Sequence, residues 1–192
     1  ALCNIRAAKV AAGQNVLVYG ATGAIGSAAV QLLKSRGAHI TAVCNTRNVE
    51  LVKSLGAEKV IDYQTQDFTQ IKDRFSFIFD AVGKSSFRQC KPLLTPRGIY
   101  ISTELGKNGE NIFWALLTPL GRGKRLLFPL PAISKDDVIY LRDLFEKGEY
   151  RPVIDRLYSL EEIVEAYKYV ETGQKTGNVI LKMTAGSKAS IA

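Results

Sequence analysis

The segment with the clearest chemical meaning is a glycine-rich loop at residues 20–26, GATGAIG, which follows the apolar run NVLVY. At a turn from a strand into a helix, glycine permits a tight reversal and the close approach of a diphosphate. The free N–H groups at the start of the helix then face that anion. Gly23 and Gly26 match the fingerprint G-x-G-x-x-G, whereas Ala21 replaces its first glycine. We therefore predict a dinucleotide site, with a purely structural turn as the alternative.

The residues after the second predicted strand indicate which dinucleotide would bind. A site for NAD needs an Asp or Glu there to accept hydrogen bonds from the ribose 2′-hydroxyl. The equivalent position is Cys44, the sequence NTRN follows at 45–48, and the next carboxylate is Glu50. Amide, hydroxyl and guanidinium donors suit a 2′-phosphate, although these residues would equally cap a solvated helix start. We predict a preference for NADPH over NADH, with three residues around the phosphate: Asn45, Thr46 and Arg47.

Metal and disulfide chemistry are not expected from this sequence. A catalytic zinc needs about three protein ligands, but His39 is the single histidine, and we expect it to pack or to cap a strand. The three cysteines, Cys3, Cys44 and Cys90, are too far apart in sequence to form a metal knuckle, and their odd number fits a reducing compartment. We therefore expect no metal site in this chain.

Composition narrows the class of protein further. With 192 residues, 46% hydrophobic and 23% charged, the chain is neither disordered nor collagen-like, and its apolar runs are far below the roughly 20 residues of a membrane helix. The net charge of +8 comes from isolated basic residues in the first two-thirds. A solvated basic surface explains it, or a field that attracts a phosphorylated small molecule. Without a basic stripe with interleaved aromatics, we expect no nucleic-acid or membrane partner and a cytoplasmic location.

Strand and helix patterns alternate through the first two-thirds of the chain, which favours parallel pairing with right-handed crossovers. The expected fold class is α/β, with a doubly wound parallel sheet. The predicted strands lie at 15–20, 39–44, 59–63, 75–82, 98–103 and 124–130. The predicted helices lie at 2–12 (ending at Gly13), 24–36, 49–55 and 86–94.

The pattern changes at Ser134. We predict two amphipathic helices, 134–146 and 159–172, each opened by a serine cap, and a final strand at 178–183. The chain has no initiator Met and opens in a helical pattern, so we expect a piece of a longer protein. The predicted organisation is a dinucleotide-binding domain at 1–133, a separate segment at 134–183 and a frayed tail at 184–192.

These motifs resemble the cofactor-binding half of a medium-chain dehydrogenase/reductase, in particular its zinc-independent quinone oxidoreductase branch. The resemblance extends from NVLVYGATGAIGSAAVQLL through LGAEKVIDY and FDAVG to RPVIDRLYSLEEIVEAYKYVETGQKTGNVILKM. It implies a Rossmann sheet and an absent N-terminal catalytic domain, which holds most of the substrate pocket and, in alcohol dehydrogenases, the zinc ligands. The segment 134–183 would return to complete that domain.

The resemblance also implies roles for individual residues. The diphosphate would lie on Thr22, Gly23, Ala24 and Ile25, with the 2′-phosphate near Asn45–Arg47 and the adenosine beside Tyr63. The nicotinamide side would be formed by residues after the fourth and fifth strands, namely Ala81, Val82, Gly83, Ser102 and Thr103.

For the whole protein, the expected activity is hydride transfer from NADPH to a small-molecule quinone, enone or carbonyl substrate. A homodimer is one assembly of the whole protein to test. We assign no catalytic residue to this chain and expect it to bind cofactor without turnover. A zinc-dependent alcohol dehydrogenase and a non-catalytic NADPH-sensing or interaction module remain alternatives. A short-chain dehydrogenase is disfavoured, because no tyrosine here has a lysine four positions on.

Overall fold

The computed structural model describes residues 1–118, 121 and 123–183. Strands alternate with helices along most of this length, as the sequence predicts. The strands are β1 (Asn15–Tyr19), β2 (His39–Cys44), β3 (Lys59–Asp62), β4 (Phe75–Asp80), β5 (Leu94–Ser102), β6 (Arg125–Leu126), β7 (Ile154–Ser159) and β8 (Asn178–Lys182).

One helix precedes β1, and the other helices lie between strands. The helices are α1 (Leu2–Ala7), α2 (Ala24–Lys34), α3 (Val49–Leu55), α4 (Phe87–Cys90), α5 (Glu110–Leu117), α6 (Lys135–Glu146) and α7 (Ile163–Glu171). The longest of them, α6, has 12 residues. Within the described ranges, no helix combines the length and the apolar character needed to cross a bilayer.

Strands β1 to β6 form one parallel sheet in the order β3-β2-β1-β4-β5-β6. At its centre Val18 of β1 is paired with Ala42 of β2 on one side and with Phe79 of β4 on the other. The chain first moves outward to β3 and then returns to place β4 beside β1. Neighbouring strands β1 and β4 therefore lead to connections that diverge at their carboxyl ends, where such sheets bind ligands. The predicted doubly wound fold is confirmed.

The core lies on both faces of this sheet, as two covering layers of helices require. One face joins Val18, Ile40 and Phe79 of the strands to Leu33 of α2 and Leu144 of α6. The opposite face includes Leu17, Ile78, Tyr100 and Phe87. Because the central strands are buried on both sides, their sequences are almost continuously apolar.

A buried side-chain amide ties the segment between α6 and β7 to α2. The Gln31 Oε1 atom accepts a hydrogen bond from the Arg151 N–H at 2.8 Å, and its Nε2 donates to the Arg151 carbonyl at 2.9 Å. Nε2 also donates to the Ser27 carbonyl at 3.2 Å. A buried amide is costly unless it is paired, so these bonds fix the segment against the helix.

The first turn of α6 is held by a reciprocal cap, as predicted from Ser134. The Ser134 hydroxyl accepts a hydrogen bond from the Asp137 N–H at 3.2 Å, and its own N–H donates to the Asp137 carboxylate at 2.9 Å. Arg6 of α1 forms an ion pair with the same carboxylate. The pKa of the Asp137 carboxyl is lowered, mainly by the hydrogen bond from the Ser134 backbone N–H. Burial acts in the opposite direction, and the Arg6 guanidinium lowers the pKa further.

Several predicted boundaries differ from the observed ones. Helix α1 ends at Ala7 rather than near Gly13, because Lys9 adopts a φ of +52° and the chain turns to bury Val10. Strand β6 is limited to two residues, with prolines following at 129 and 131, and proline has no N–H for a ladder bond.

The start of the last helix was also predicted wrongly. Ser159 remains in β7, where it is paired with Lys182 of β8, so α7 begins at Ile163. The Glu162 carboxylate does accept a hydrogen bond from the Ser159 N–H at 2.8 Å, but it does so across a turn that precedes the helix. Two elements, α5 and β7, were not predicted, and β5 begins at Leu94 rather than at residue 98.

The segment 134–183 makes two kinds of contact. Helix α6 packs on the main sheet, whereas β7 and β8 form a separate two-stranded parallel sheet beside α7. On α7, Val164 and Tyr167 are 55% and 63% exposed. The proposed domain boundaries stay a prediction, and the tail 184–192 lies outside the described residues.

Replacing Ser134 by alanine is expected to lower the free energy of unfolding by about 1 kcal/mol, because the N-cap bond to Asp137 is lost. Chemical denaturation of wild type and variant measures this difference. Ser54→Ala is the matched control, since the Ser54 hydroxyl is exposed and bonds only to the Leu51 carbonyl of its own helix. The control should change stability by less than about 0.5 kcal/mol. Equal effects of the two substitutions would contradict the role of the cap.

Candidate functional site

The turn from β1 into α2 depends on two glycines. Gly20 has a φ of +76°, and its N–H donates to the Val43 carbonyl at 3.1 Å. At Gly26, a Cβ would lie 2.0 Å from the Gly20 carbonyl oxygen, so a side chain cannot be accommodated there without moving backbone. Residue 26 therefore sets the close contact between the helix and the turn. At Gly23, by contrast, the nearest atom to an added Cβ would be 3.9 Å away.

The start of α2 presents unpaired backbone donors. Gly23 is the N-cap, with extended backbone and no side-chain cap. In the described part of the chain, the N–H groups of Ile25 and Gly26 donate to no acceptor. Such donors at a helix N-terminus, together with the open space at Gly23, fit a diphosphate.

A short 3₁₀ turn at Thr46–Asn48 follows β2. The Thr46 hydroxyl donates to the Asp62 carboxylate at 2.5 Å, and the Thr46 N–H donates to Gln64 Oε1 at 3.2 Å. The Arg47 guanidinium donates through Nη2 to the Gln174 carbonyl at 2.7 Å. The Thr46 hydroxyl is thus already hydrogen-bonded to Asp62. This contact was not predicted from the sequence.

Cys44 occupies the position where an NAD site would have a carboxylate. Burial, with a smaller contribution from Asp62, raises the pKa of the Cys44 thiol to about 11. The thiol is therefore neutral at physiological pH and adds no negative charge at the end of β2.

A cleft of about 620 Å³ opens at the carboxyl ends of the strands. Its described lining includes three basic side chains, Arg47, Lys84 and Lys175, and no Asp or Glu. The remaining lining residues are Tyr19, Gly20, Thr22, Asn45, Thr46, Asn48, Tyr63, Gln64, Val82, Gly173 and Gln174. This lining favours a polyanionic ligand.

The loop after β4 is organised by a buried carboxylate, Asp80, which is 0% exposed. Its two oxygens accept hydrogen bonds from the N–H groups of Val82, Gly83 and Ser85 at 3.1, 2.8 and 2.8 Å. The Ser85 hydroxyl, at 2.7 Å, and the Tyr100 hydroxyl, at 3.3 Å, donate to the same group. Five donors satisfy a buried charge without a cation. They also fix the loop that brings Val82 to the cleft.

The structure brings six of the predicted site residues to this one cleft: Thr22, Asn45, Thr46, Arg47, Tyr63 and Val82. Gly23, Ala24 and Ile25 lie at the adjacent start of α2. Ala81 and Thr103 are not part of the described cleft lining. Ala81 is buried, and the Thr103 N–H donates to the Asp80 carbonyl at 3.0 Å. The individual roles of all these residues stay predictions.

The cleft also contains residues that the sequence analysis did not assign. Gly173, Gln174 and Lys175 belong to the turn between α7 and β8, more than a hundred residues from the glycine loop. The composition of the segment, with glycines at 173 and 177, indicated a turn but not where it would lie.

Among the described residues, no group of three or more His, Cys, Asp or Glu side chains is arranged to hold a metal ion. The free cysteines Cys44 and Cys90 are buried, and burial raises the pKa of Cys90 to about 12. The described residues therefore do not fit a zinc site.

Comparisons with known proteins agree with this geometry. The family model for zinc-binding dehydrogenases matches residues 55–181. A chloroplastic quinone-oxidoreductase of Triphysaria versicolor is 33% identical over 174 residues, which cover 88% of this chain and 52% of that protein. A mitochondrial NAD(P)H oxidoreductase of Mus musculus is 29% identical over 191 residues, covering 89% of this chain and 48% of that protein. The cytoplasmic location predicted from the sequence stays a prediction, since these names assign other compartments to those two proteins.

The solved structure of a quinone oxidoreductase from Coxiella burnetii shares the fold, with a TM-score of 0.85 and 28% identity. The match covers 95% of this chain and 57% of that one. The chain thus spans about half the length of the relatives it matches. It belongs to the zinc-binding dehydrogenase family of the medium-chain dehydrogenase/reductase superfamily, and corresponds to the cofactor-binding half of such proteins.

Proposed function

We propose that this chain binds NADPH and forms the cofactor-binding half of an oxidoreductase. The observation that carries the proposal is the charge of the cleft, where Arg47, Lys84 and Lys175 are present and no carboxylate is part of the described lining. NADPH has a diphosphate and an additional 2′-phosphate, so it gains more than NADH from such a lining.

In this proposal the backbone N–H group of Ile25 binds the diphosphate, beside Thr22, Gly23 and Ala24 at the start of α2. Arg47 and Asn45 bind the 2′-phosphate beside Thr46, whose hydroxyl and N–H already donate to Asp62 and Gln64. Tyr63 lies beside the adenosine. The Asp62 carboxylate accepts the Thr46 hydroxyl and is not part of the described cleft lining. Ala81, Val82 and Thr103 are assigned to the nicotinamide side on the resemblance alone.

A bound nicotinamide supplies a hydride to a polarised acceptor. We propose a quinone, an enone or a carbonyl as that acceptor, in line with the names of the relatives. The residues of this chain bind and orient the cofactor: the glycine turn fixes the diphosphate, and the Asp80 network fixes the loop beneath Val82. No residue of this chain is assigned as a proton donor to substrate.

Two alternatives follow from specific observations. The family model's description favours a zinc-dependent alcohol dehydrogenase, which would need ligands from outside the described residues. A non-catalytic NADPH-sensing module needs only the cleft. Metal analysis of the whole protein, together with assays on quinones and alcohols, separates these from the main proposal. A homodimer and a small-molecule substrate are proposed for the whole protein.

We also propose that the segment 134–183 completes a second domain. The support is the exposed apolar surface of α7, where Val164 and Tyr167 have no covering element in the described chain. A surface of this kind on a protein commonly marks an interface.

Arg47→Ala is expected to weaken NADPH binding about tenfold or more, because a charge-assisted hydrogen bond to the 2′-phosphate is lost. NADH affinity should change less than about twofold. Titration of both cofactors, followed by fluorescence or calorimetry, measures the two dissociation constants. Arg97→Ala is the control, since Arg97 is an exposed residue of β5 outside the cleft lining. Equal affinities for NADH and NADPH in wild type and Arg47→Ala would defeat the NADPH assignment.

Gly26→Ala is expected to weaken the binding of both cofactors alike. The added Cβ would lie 2.0 Å from the Gly20 carbonyl oxygen and would force that carbonyl to move. We expect a rise of about tenfold or more in both dissociation constants, and a loss of about 1–3 kcal/mol in stability. Circular dichroism first establishes that the variant is folded. At Gly123, no described atom lies within 4 Å of an added Cβ, so Gly123→Ala is the control. Unchanged binding in Gly26→Ala would refute the glycine-turn site.

The isolated 192-residue chain is expected to bind NADPH without oxidising it in the presence of a quinone, because we assign it no substrate-binding residue. Loss of the reduced cofactor's absorbance measures turnover, and the same titration as above measures binding. Sustained, enzyme-dependent oxidation by the isolated chain would show that the catalytic groups lie within it.

A further inference from the structure

Residues 172–177 form the turn between α7 and β8. The last residue of this turn contacts the glycine loop. The Gly177 N–H donates to the Thr22 carbonyl at 2.7 Å, and Gly177 forms a parallel bridge with Gly23. Gly177 has a φ of +70°, and a Cβ there would lie 2.3 Å from the Val153 carbonyl oxygen. This end of the 172–177 turn is thus fixed by tight backbone contacts.

Asp155 of β7 holds the same turn through a hydrogen bond to its backbone. One carboxylate oxygen of Asp155 accepts the Thr176 N–H at 3.0 Å and the Tyr169 hydroxyl at 2.6 Å. The Arg156 guanidinium lies 3.7 Å from the centre of the Tyr169 ring, which fixes that ring in place. Partial burial opposes ionisation of Asp155, but the bonds from Tyr169 and Thr176 lower its pKa overall. Asp155 is therefore a charged acceptor at neutral pH.

The tip of the 172–177 turn reaches Arg47. The Gln174 carbonyl accepts a hydrogen bond from Arg47 Nη2 at 2.7 Å, and both residues line the cleft. A guanidinium has five N–H donors, and in the described part of the chain Arg47 makes no other hydrogen bond. The carbonyl therefore orients the guanidinium while most of its donors stay free for a ligand.

Holding Arg47 in advance changes the affinity for one ligand only. A free arginine side chain loses rotamer entropy when it is immobilised. A side chain that is already held loses less on binding, which is the advantage of preorganisation. NADH lacks the group that Arg47 is proposed to bind, so its affinity does not depend on this orientation.

We propose that Asp155 is a positioning residue for cofactor specificity: through Thr176 it fixes the 172–177 turn, whose Gln174 carbonyl orients Arg47 toward the 2′-phosphate of NADPH. Asp155 itself is not among the described residues that line the cleft. The inference rests on the proposed NADPH function and extends it to a residue 108 positions from Arg47 in the chain.

The test compares dissociation constants of NADPH and NADH for wild type, Asp155→Ala and Asp155→Asn. Asp155→Ala should weaken NADPH about fivefold, because the turn that orients Arg47 is released, and NADH less than about twofold. Asp155→Asn keeps an acceptor for Thr176 and should restore most of the NADPH preference. Glu165→Ala, on the exposed face of α7, is the matched control and should leave both constants unchanged.

A double-mutant cycle separates this inference from the NADPH assignment. In an Arg47→Ala background, Asp155→Ala should have no further effect on the ratio of the two affinities. If wild type prefers NADPH and Arg47→Ala removes the preference, but Asp155→Ala leaves the ratio unchanged, the positioning role is refuted and the NADPH site stands. If wild type has no preference, both fail.

If Asp155 has a purely structural role, Asp155→Ala will weaken the binding of NADH and NADPH equally, and that result overturns the inference. Should Asp155→Ala fail to fold, as judged by circular dichroism, Tyr169→Phe replaces it. That variant removes one bond to the same carboxylate and keeps the ring beneath Arg156. It should lower the NADPH preference about twofold in the same direction, and an unchanged ratio would count against the proposal.

Discussion

The contact between the backbone of α2 and the carbonyl of Gly20 is the constraint on which the site depends. It requires a residue without a side chain at position 26, where a Cβ would be 2.0 Å from that oxygen. The contact sets how closely the helix approaches β1 and therefore where its unpaired N–H groups point. It also places Thr22 so that its carbonyl can accept the Gly177 N–H. One backbone approach thus organises both the start of α2 and the 172–177 turn.

The sheet could be predicted from the sequence because its information is local. Short apolar runs such as those of β1 and β4 are separated by glycine turns and by helical patterns, and parallel pairing follows from the spacing. Elements whose identity depends on distant partners were missed. Strand β7 contains only exposed and half-buried residues, and its strand conformation depends on pairing with β8. Helix α5 carries apolar residues that remain exposed, such as Leu116, so its pattern gave no clear buried stripe.

The same distinction applies to the candidate site. The glycine loop and residues 45–47 follow directly from predicted strands, so their placement at the carboxyl ends of β1 and β2 was predictable. Gln174 and Lys175 reach the cleft only because Gly177 and Asp155 hold their turn there. Asp62 and Asp80 are single carboxylates whose partners are backbone and hydroxyl groups. No spacing rule identifies such residues before the chain is folded.

The paired bonds between Gln31 and Arg151 have a consequence for how the chain moves. A side-chain amide that accepts from the N–H and donates to the C=O of one residue copies the edge of a neighbouring strand. A slip of Arg151 by one position would break both bonds together, so the segment leading into β7 is locked in register with α2. We therefore expect a tilt of α2 to shift Arg151 with it and, through the two intervening residues, the start of β7.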